Sequence, residues 1–242
     1  MAMVAAGFKG FSMPVCLGTP PVEVHLKRSA RARRFSLRVS RLDGKVTLSM
    51  PLRAREGAAR AFLKGHEGWL RETLQAMPES AAKPVGIGSV IPVEGRALTL
   101  APGSGRGIRA EGDRLLVPGN PETAGARVAA WAKVLARDRL AAASTKYAGM
   151  VGRSYSSLAL RDTRSRWGSC SPDGRLMYSW RLILAPPSVL DYVAAHEVAH
   201  LVELNHSPAY WAVVGRIYPG WQTQRAWLHA EGQSLHRLRF QD

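Results

Sequence analysis

Three histidines and a glutamate fall within eleven residues of this 242-residue chain: His196-Glu197-Val198-Ala199-His200, then His206. On a helix each residue advances about 100°, so positions four apart project about 40° from one another. His196 and His200 can therefore reach one metal ion from the same face. Glu197 lies about 100° from His196, where it can reach a water on that ion without ligating it. Two imidazoles on a metal, with a carboxylate to take a proton from water, make the arrangement of hydrolytic zinc centres.

A structural zinc site usually closes with four protein ligands, often cysteines, whereas a catalytic one keeps a position open. Cys16 and Cys170 are the sole cysteines and have no partner at finger spacing. Three histidines plus water is the better count. His206 is the natural third ligand, because Asn205 can end the helix in a left-handed conformation and Ser207-Pro208 starts a new segment. The spacing matches HExxHxxGxxH, but Glu203 stands where that pattern has glycine. The turn must then be made differently, and Glu203 becomes a rival ligand.

The positioning helix has clear signals. Pro186-Pro187 blocks earlier helix, and Ser188 with Asp191 matches a capping box. Leu190, Val193, Ala194, Leu201 and Leu204 form one apolar arc, with Glu197 in its middle and the two histidines along its edge. A glutamate inside a buried stripe is costly unless it has a partner, which a metal and its water would provide. Upstream, Asn120-Pro121 caps a long helix to about Tyr147 that backs the metal helix. Leu158–Arg161 and Leu176–Leu184 read as a hairpin, the second strand placed to offer its edge to an extended peptide. Cys170 between them reads as a buried or loop thiol. Residues 208–218 and 222–230 give two more helices, and Trp167, Trp180, Trp211, Trp221 and Trp227 are expected as core around the site.

In the N-terminal part, Val22–Leu26, Arg34–Val39 and Lys45–Met50 alternate as strands, the last two around the hairpin signal Asp43-Gly44. Arg53–Met77 turns helical, with Ala59, Phe62, Leu63, Trp69, Leu70 and Leu74 on one side. His25 reads as strand surface and His66 as packing. Residues 85–118 return to short strands, and Gly103, Gly105 and Gly107 lack the Lys-Ser/Thr of a phosphate loop. The expected fold is α+β. A flexible tail (1–20) precedes a β-rich region (21–118) with an inserted helix at 53–77. A zincin-like helical domain with a small antiparallel sheet follows (119–242).

With 46% hydrophobic residues there is ample core. Two cysteines give no disulfide framework, no apolar run approaches the ~20 residues of a membrane helix, and the first twenty residues lack a signal-peptide pattern. These features suit the cytoplasm and argue against a membrane partner. A net charge of +16 suits an anionic partner such as nucleic acid. The densest run holds Lys27, Arg28, Arg31, Arg33 and Arg34. Yet the 27 arginines against 7 lysines spread along the whole chain, which a compositional bias explains without any partner.

Arg166-Trp167-Gly168-Ser169-Cys170, Trp180-Arg181-Leu182, Asp191-Tyr192-Val193 with His196-Glu197, and Asn205-His206-Ser207 with Trp211 resemble the YgjP-like metallopeptidase domain. That family is related to the SprT-like and WLM zinc-dependent proteases. The resemblance is specific from about residue 155 to 230 and weaker over the N-terminal strands and the Trp69 helix. It implies a zinc metallopeptidase with His206 as third ligand. Ser179 and Tyr210 depart from the usual Asn and Phe, at positions not expected to touch the ligands. The SprT and WLM relatives act on DNA-bound proteins, an analogy the basic charge keeps relevant.

The expected activity is hydrolysis of peptide bonds, with zinc on His196, His200 and His206 and with Glu197 as general base. Arg166, Trp167 and His229 are candidates for a second electrophile at the oxyanion, and Tyr192 reads as core. Two other classes compete. One is a nucleic-acid-associated protein, either a protease on DNA-bound proteins or a non-catalytic zinc binder. The other is a metallohydrolase of small amides.

Overall fold

The computed structural model describes residues 15–40, 44–76 and 83–240, and the chain divides into two compact units, Met1–Ala81 and Ala82–Asp242. The first unit starts with β1 (Val15–Leu17), inside the stretch expected as a tail, whose residues 1–14 lie outside the described residues. It continues through β2 (Val22–Ser29), β3 (Ser36–Val39) and β4 (Val46–Pro51), in the sheet order β1-β2-β4-β3. The central β2–β4 pair is parallel and both outer pairs are antiparallel. Asp43 lies outside the described residues, but Gly44 takes φ +67° and Ser40 N–H donates to Lys45 O at 2.9 Å, closing the β3–β4 hairpin.

Val46, Leu48 and Met50 alternate inward on β4, where Ala59, Leu63 and Leu70 cover them. The expected single helix is two: α1 (Glu56–Gly65) and α2 (Glu67–Gln75), with Met77 outside the described residues. The break falls at His66 (φ −112°, ψ 10°) after a glycine that weakens the helix. The His66 ring stacks on Phe62 at 4.1 Å, and its Nδ1 lies 2.8 Å from the Phe62 carbonyl.

The second unit opens with β5 (Lys83–Pro84), then β6 (Val90–Val93), β7 (Arg96–Gly103), β8 (Arg109–Glu111) and β9 (Arg114–Pro118). Strands β6 to β9 form a sheet in the order β6-β7-β9-β8, again with a parallel central pair. These residues, expected with the N-terminal region, fold instead with the C-terminal one. Ile91, Val93, Leu98, Leu100, Leu115 and Val117 share a core with Ala124 and Val128 of the following helix. Glu94 N–H also donates to Ile183 O at 2.7 Å. That helix is α3 (Ala124–Met150), entered by a 3-10 turn at Pro121–Thr123 whose cap, Asn120 Oδ1, accepts from Glu122 N–H at 2.9 Å. Ala132, Ala136, Leu140, Ala143 and Tyr147 carry its buried side onward into the main core.

The third sheet holds β10 (Ser157–Arg161), β11 (Gly168–Cys170) and β12 (Arg175–Ser179), in the order β10-β12-β11. It is mixed rather than antiparallel, because β10 and β12 run parallel while β11 hairpins with β12 about Gly174. Strand β12 is therefore central and has no free edge for a peptide. Nor does the strand reach Leu184. Trp180–Leu184 is a 3-10 turn with all five residues buried, which a strand covered on one face could not achieve.

The chain then forms α4 (Pro187–Ala199), α5 (Pro208–Ile217), α6 (Trp221–Glu231), a 3-10 turn at Gly232–His236, and β13 (Leu238–Arg239). Strand β13 lies parallel to β5. Among the described residues no helix is long and apolar enough to cross a membrane.

The buried Arg181 guanidinium ties the late segment down. It donates to both Asp162 carboxylate oxygens (2.7 and 3.0 Å) and to the Leu235 and Leu238 carbonyls (2.9 Å each). Burial would raise the Asp162 carboxyl, but the Arg181 bonds outweigh it and hold the group below its ordinary value. Burial and the Arg181 charge push the neighbouring His236 down to about 4. Arg181→Ala should cost about 3 kcal/mol in urea unfolding, the low end for a broken buried pair, because Asp162 keeps access to water. Unfolded His236 takes a proton near its ordinary value, whereas the folded residue takes one near 4. Its contribution is thus complete above the unfolded value and lost as pH falls toward 4. His236→Phe should flatten the fall of unfolding free energy over that window, and an unchanged slope would show that His236 is not its source.

Candidate metal centre

Helix α4 begins directly at Pro187, with Pro186 as cap and no side-chain capping bond. The expected capping box does not form, because Ser188 and Asp191 are already inside the helix. Ser188 O accepts from Tyr218 O–H at 2.8 Å, and the Asp191 carboxylate accepts from Tyr147 O–H. Val189, Leu190, Tyr192, Val193, Ala194, Ala195, Val198 and Ala199 are all buried, so the helix has core on nearly every side rather than one arc. Leu204, expected on that arc, lies beyond the helix and is 54% exposed.

The second histidine of the motif, His200, is the C-cap itself. Val202 N–H and Glu203 N–H both return to Ala199 O (3.0 and 3.1 Å), and Ser207 N–H donates to Asn205 O at 2.7 Å. Among the described residues Glu94 is the one non-glycine with positive φ, so Asn205 is not left-handed. The turn that lacks a glycine is built from these short-range bonds instead. Ser207 Oγ then accepts from Tyr210 N–H at 3.2 Å and Pro208 opens α5, as the sequence suggested.

This reversal carries His206 back over α4. His196 Nε2 and His206 Nε2 approach to 3.1 Å, and ligand atoms of His196, His200 and His206 all lie within 4.8 Å of one another. Two ligand bonds of ~2.0–2.1 Å at a tetrahedral angle place their nitrogens about 3.3 Å apart. The cluster therefore fits one metal ion. His200 Nδ1 lies 2.9 Å from Glu203 O, which as acceptor makes Nδ1 the donor and leaves Nε2 for a ligand role. Glu203 contributes that carbonyl, and its carboxylate is not among the converging groups.

Tyr210 does touch the histidines, contrary to expectation. Its ring stacks on His200 at 4.4 Å and its hydroxyl donates to His196 O at 2.9 Å. Tyr192 is core as expected, with its hydroxyl 3.5 Å from His196 Nδ1. Burial, reinforced by the charges of His200, His206 and Arg225, pushes His196 down to about 3. Burial also lowers His200. Both rings are neutral at pH 7, the state a metal ligand needs.

Glu197 is 5% exposed, and burial pushes its carboxyl up to about 8 against the opposing charge of Arg166. It fits because residue 168 has no side chain. A Cβ on Gly168 would lie 2.6 Å from both Glu197 Cγ and Oε1. Arg166 is the one electrophile candidate whose charge acts on Glu197. Trp167 turns away to stack on His236 at 5.0 Å, and His229 is exposed without a contact to the cluster. Burial and the Glu197 charge push the Cys170 thiol up to about 11, and its sulfur is not among the converging groups. His25 pairs with Glu23 at 3.4 Å and takes no part.

Three contributors escaped the sequence reading. Gly168 stood in plain sight inside the Trp167-Gly168-Ser169 run. Tyr210 sits in the first turn after Ser207, where its direction depends on that cap. Arg225 lies over Trp211 and Trp221 (5.2 and 5.8 Å), which stack on each other at 4.2 Å beside the histidines. No spacing rule connects those three.

A buried carboxylate beside three converging imidazoles on an α+β scaffold is the constellation of the metallopeptidase class. A family model described as YgjP-like, metallopeptidase domain, matches residues 33–231, and the chain belongs to that family. No curated protein matches the chain. Among solved structures, the metallopeptidase zymogen of Pyrococcus abyssi abylysin is similar over 40% of this chain and 93% of its own, at 19% identity and a TM-score of 0.33. The metal content of purified variants tests the cluster. His196→Ala and His206→Ala should each lose most of the metal, while Glu203→Ala, which keeps the backbone carbonyl, should retain it. The reverse pattern for His206 and Glu203 would reassign the third ligand.

Proposed function

We propose that this metallopeptidase is zinc-dependent, with His196, His200 and His206 holding the ion and Glu197 serving as general base on peptide bonds. The observation that carries the reading is a carboxylate buried to 5% beside three imidazoles able to hold one ion. Zinc, when bound, supplies a Lewis acid that lowers the pKa of a coordinated water from about 15.7 towards 7. Glu197, buried next to His196, would accept a proton from water on its carboxylate and return it to the leaving amine. Arg166 is the favoured group to steady negative charge on the substrate, because its charge already acts on Glu197.

Strand β11 is the side on which an extended substrate would lie. Ser179 N–H donates to Trp167 O and Ser171 N–H to Arg175 O, so by antiparallel alternation Gly168 and Cys170 turn their N–H and C=O outward. An open strand edge ending at Glu197 favours an extended peptide over a small amide. Free Cys16 and Cys170 suit a reducing compartment such as the cytoplasm.

Two substitutions test the chemistry on an unstructured protein substrate. Glu197→Gln should keep zinc and melting temperature while cleavage falls by roughly 10²–10⁴. Full turnover in the metallated variant would sink the mechanism. Gly168→Ala forces the Glu197 carboxyl aside, and a misplacement of about 1 Å should cost about 10² in rate with zinc retained. Wild-type cleavage by that variant would show that the contact between the two residues does not set the base.

A further inference from the structure

Six cations of the first unit gather at one end of its sheet. Because β2 and β4 run parallel, Ser29 pairs with Pro51 and both strands leave the sheet at the same end. Strand β3 also begins there, since Ser36 pairs with Ser49. The connections 30–35 and 52–55 are therefore neighbours, and Arg28 Nη1 binds them together by donating to Leu52 O and Ala54 O (2.8 Å each). Around this clamp Lys27, Arg31, Arg33, Arg34, Arg53 and Arg55 are all exposed, and none forms an ion pair among the described residues. Neither 27–35 nor 52–55 contains an Asp or Glu. Glu56, the next residue, is held by Arg60 at 2.8 Å. Helix α1 starts here too, with Arg55 at its cap making no side-chain bond to the first N–H groups.

A compositional bias towards arginine accounts for the number of these charges but not for their placement. Residues 1–81 carry 14 Lys and Arg against 6 Asp and Glu, a net +8, and the remaining 161 residues carry the same +8. Half of the excess charge thus sits on one third of the chain, and six cations crowd strand ends spaced ~4.8 Å apart. Such crowding is destabilising by self-repulsion and persists where an anion relieves it.

We propose that this end of the first sheet binds the phosphodiester backbone of nucleic acid without reading its sequence. Five of the six cations are arginines, whose planar forks match phosphate oxygens two at a time. A row of like charges suits a partner whose own charges repeat. Lipid is a poorer fit. Leu52 is the one large apolar side chain exposed at this end, and Ala59 and Leu63 of α1 are buried in the unit's own core.

The test uses the full chain and fluorescein-labelled DNA of about 20 nucleotides, single-stranded and duplex, with anisotropy read across a salt series. Binding should be micromolar at low salt, with a slope of log K against log salt of about −3. Changing Arg31, Arg33, Arg34, Arg53 and Arg55 together to Gln should weaken binding at least about tenfold and flatten the slope toward zero. A control variant takes the same charge from exposed Arg106, Arg114, Arg127, Arg153 and Arg216, and should lose less than about threefold. Circular dichroism confirms that both variants stay folded. Equal losses in the two variants would reduce the effect to net charge and overturn the proposal. So would no binding at low salt, or phosphatidylserine vesicles held as tightly as DNA and released by the same five changes.

Discussion

A carboxyl group held almost wholly out of bulk solvent sets the terms for the second unit. Glu197 has no ion-pair partner within bonding distance among the described residues, and its burial is what shifts its protonation. A charge there is tolerated only when something positive stands close by. Three imidazoles converge beside it, and a glycine on the neighbouring strand gives the carboxyl room. Helix α4 must be embedded in core on nearly all sides to impose that burial, which is why α3, the third sheet and α5 all close around it.

The sequence displayed the convergence of the three histidines more clearly than the architecture. The histidines and Glu197 were legible because helical spacing fixes relative direction over one turn. Ser207-Pro208 was legible because a cap and a first-turn proline act locally. What failed depended on distant partners. Ser188 and Asp191 have the spacing of a capping box, but α4 already starts at Pro187, and Tyr147 takes the Asp191 carboxylate. The edge strand was assigned to β12 because pairing order is not written in strand pattern, and β11 took the outer place. Asn205 was expected to turn left-handed, yet bonds back to Ala199 made the reversal at ordinary backbone angles. The contacts of Tyr210 follow from how α5 leans on α4, which no local signal reveals.

One strand arrangement recurs three times in the chain. Strands β2, β7 and β10 each lie parallel to the second strand after them, with the intervening strand hairpinned onto its outer side. A helix follows each set, and the three sheets bury their apolar positions separately. In the first unit the shared strand end is left with cations. In the third sheet the outer strand is left with Gly168 and an open edge. The same local plan thus presents different chemistry according to which side chains occupy its margins.

The pairing of β5 with β13 joins positions more than 150 residues apart, and Arg181 waits for the same late segment to supply two carbonyls. Trp167, next to the strand that accommodates Glu197, is likewise stacked on His236. During synthesis, residues 15–76 have all the strands and helices of their unit long before this segment is made. The hydrolytic centre is different. Residues 196–206 are translated late, and the flank that fixes the neighbouring strand edge arrives some thirty residues after His206. A ribosome-bound chain therefore carries the histidines and Glu197 for a time without the segment that pairs with β5 and packs on Trp167.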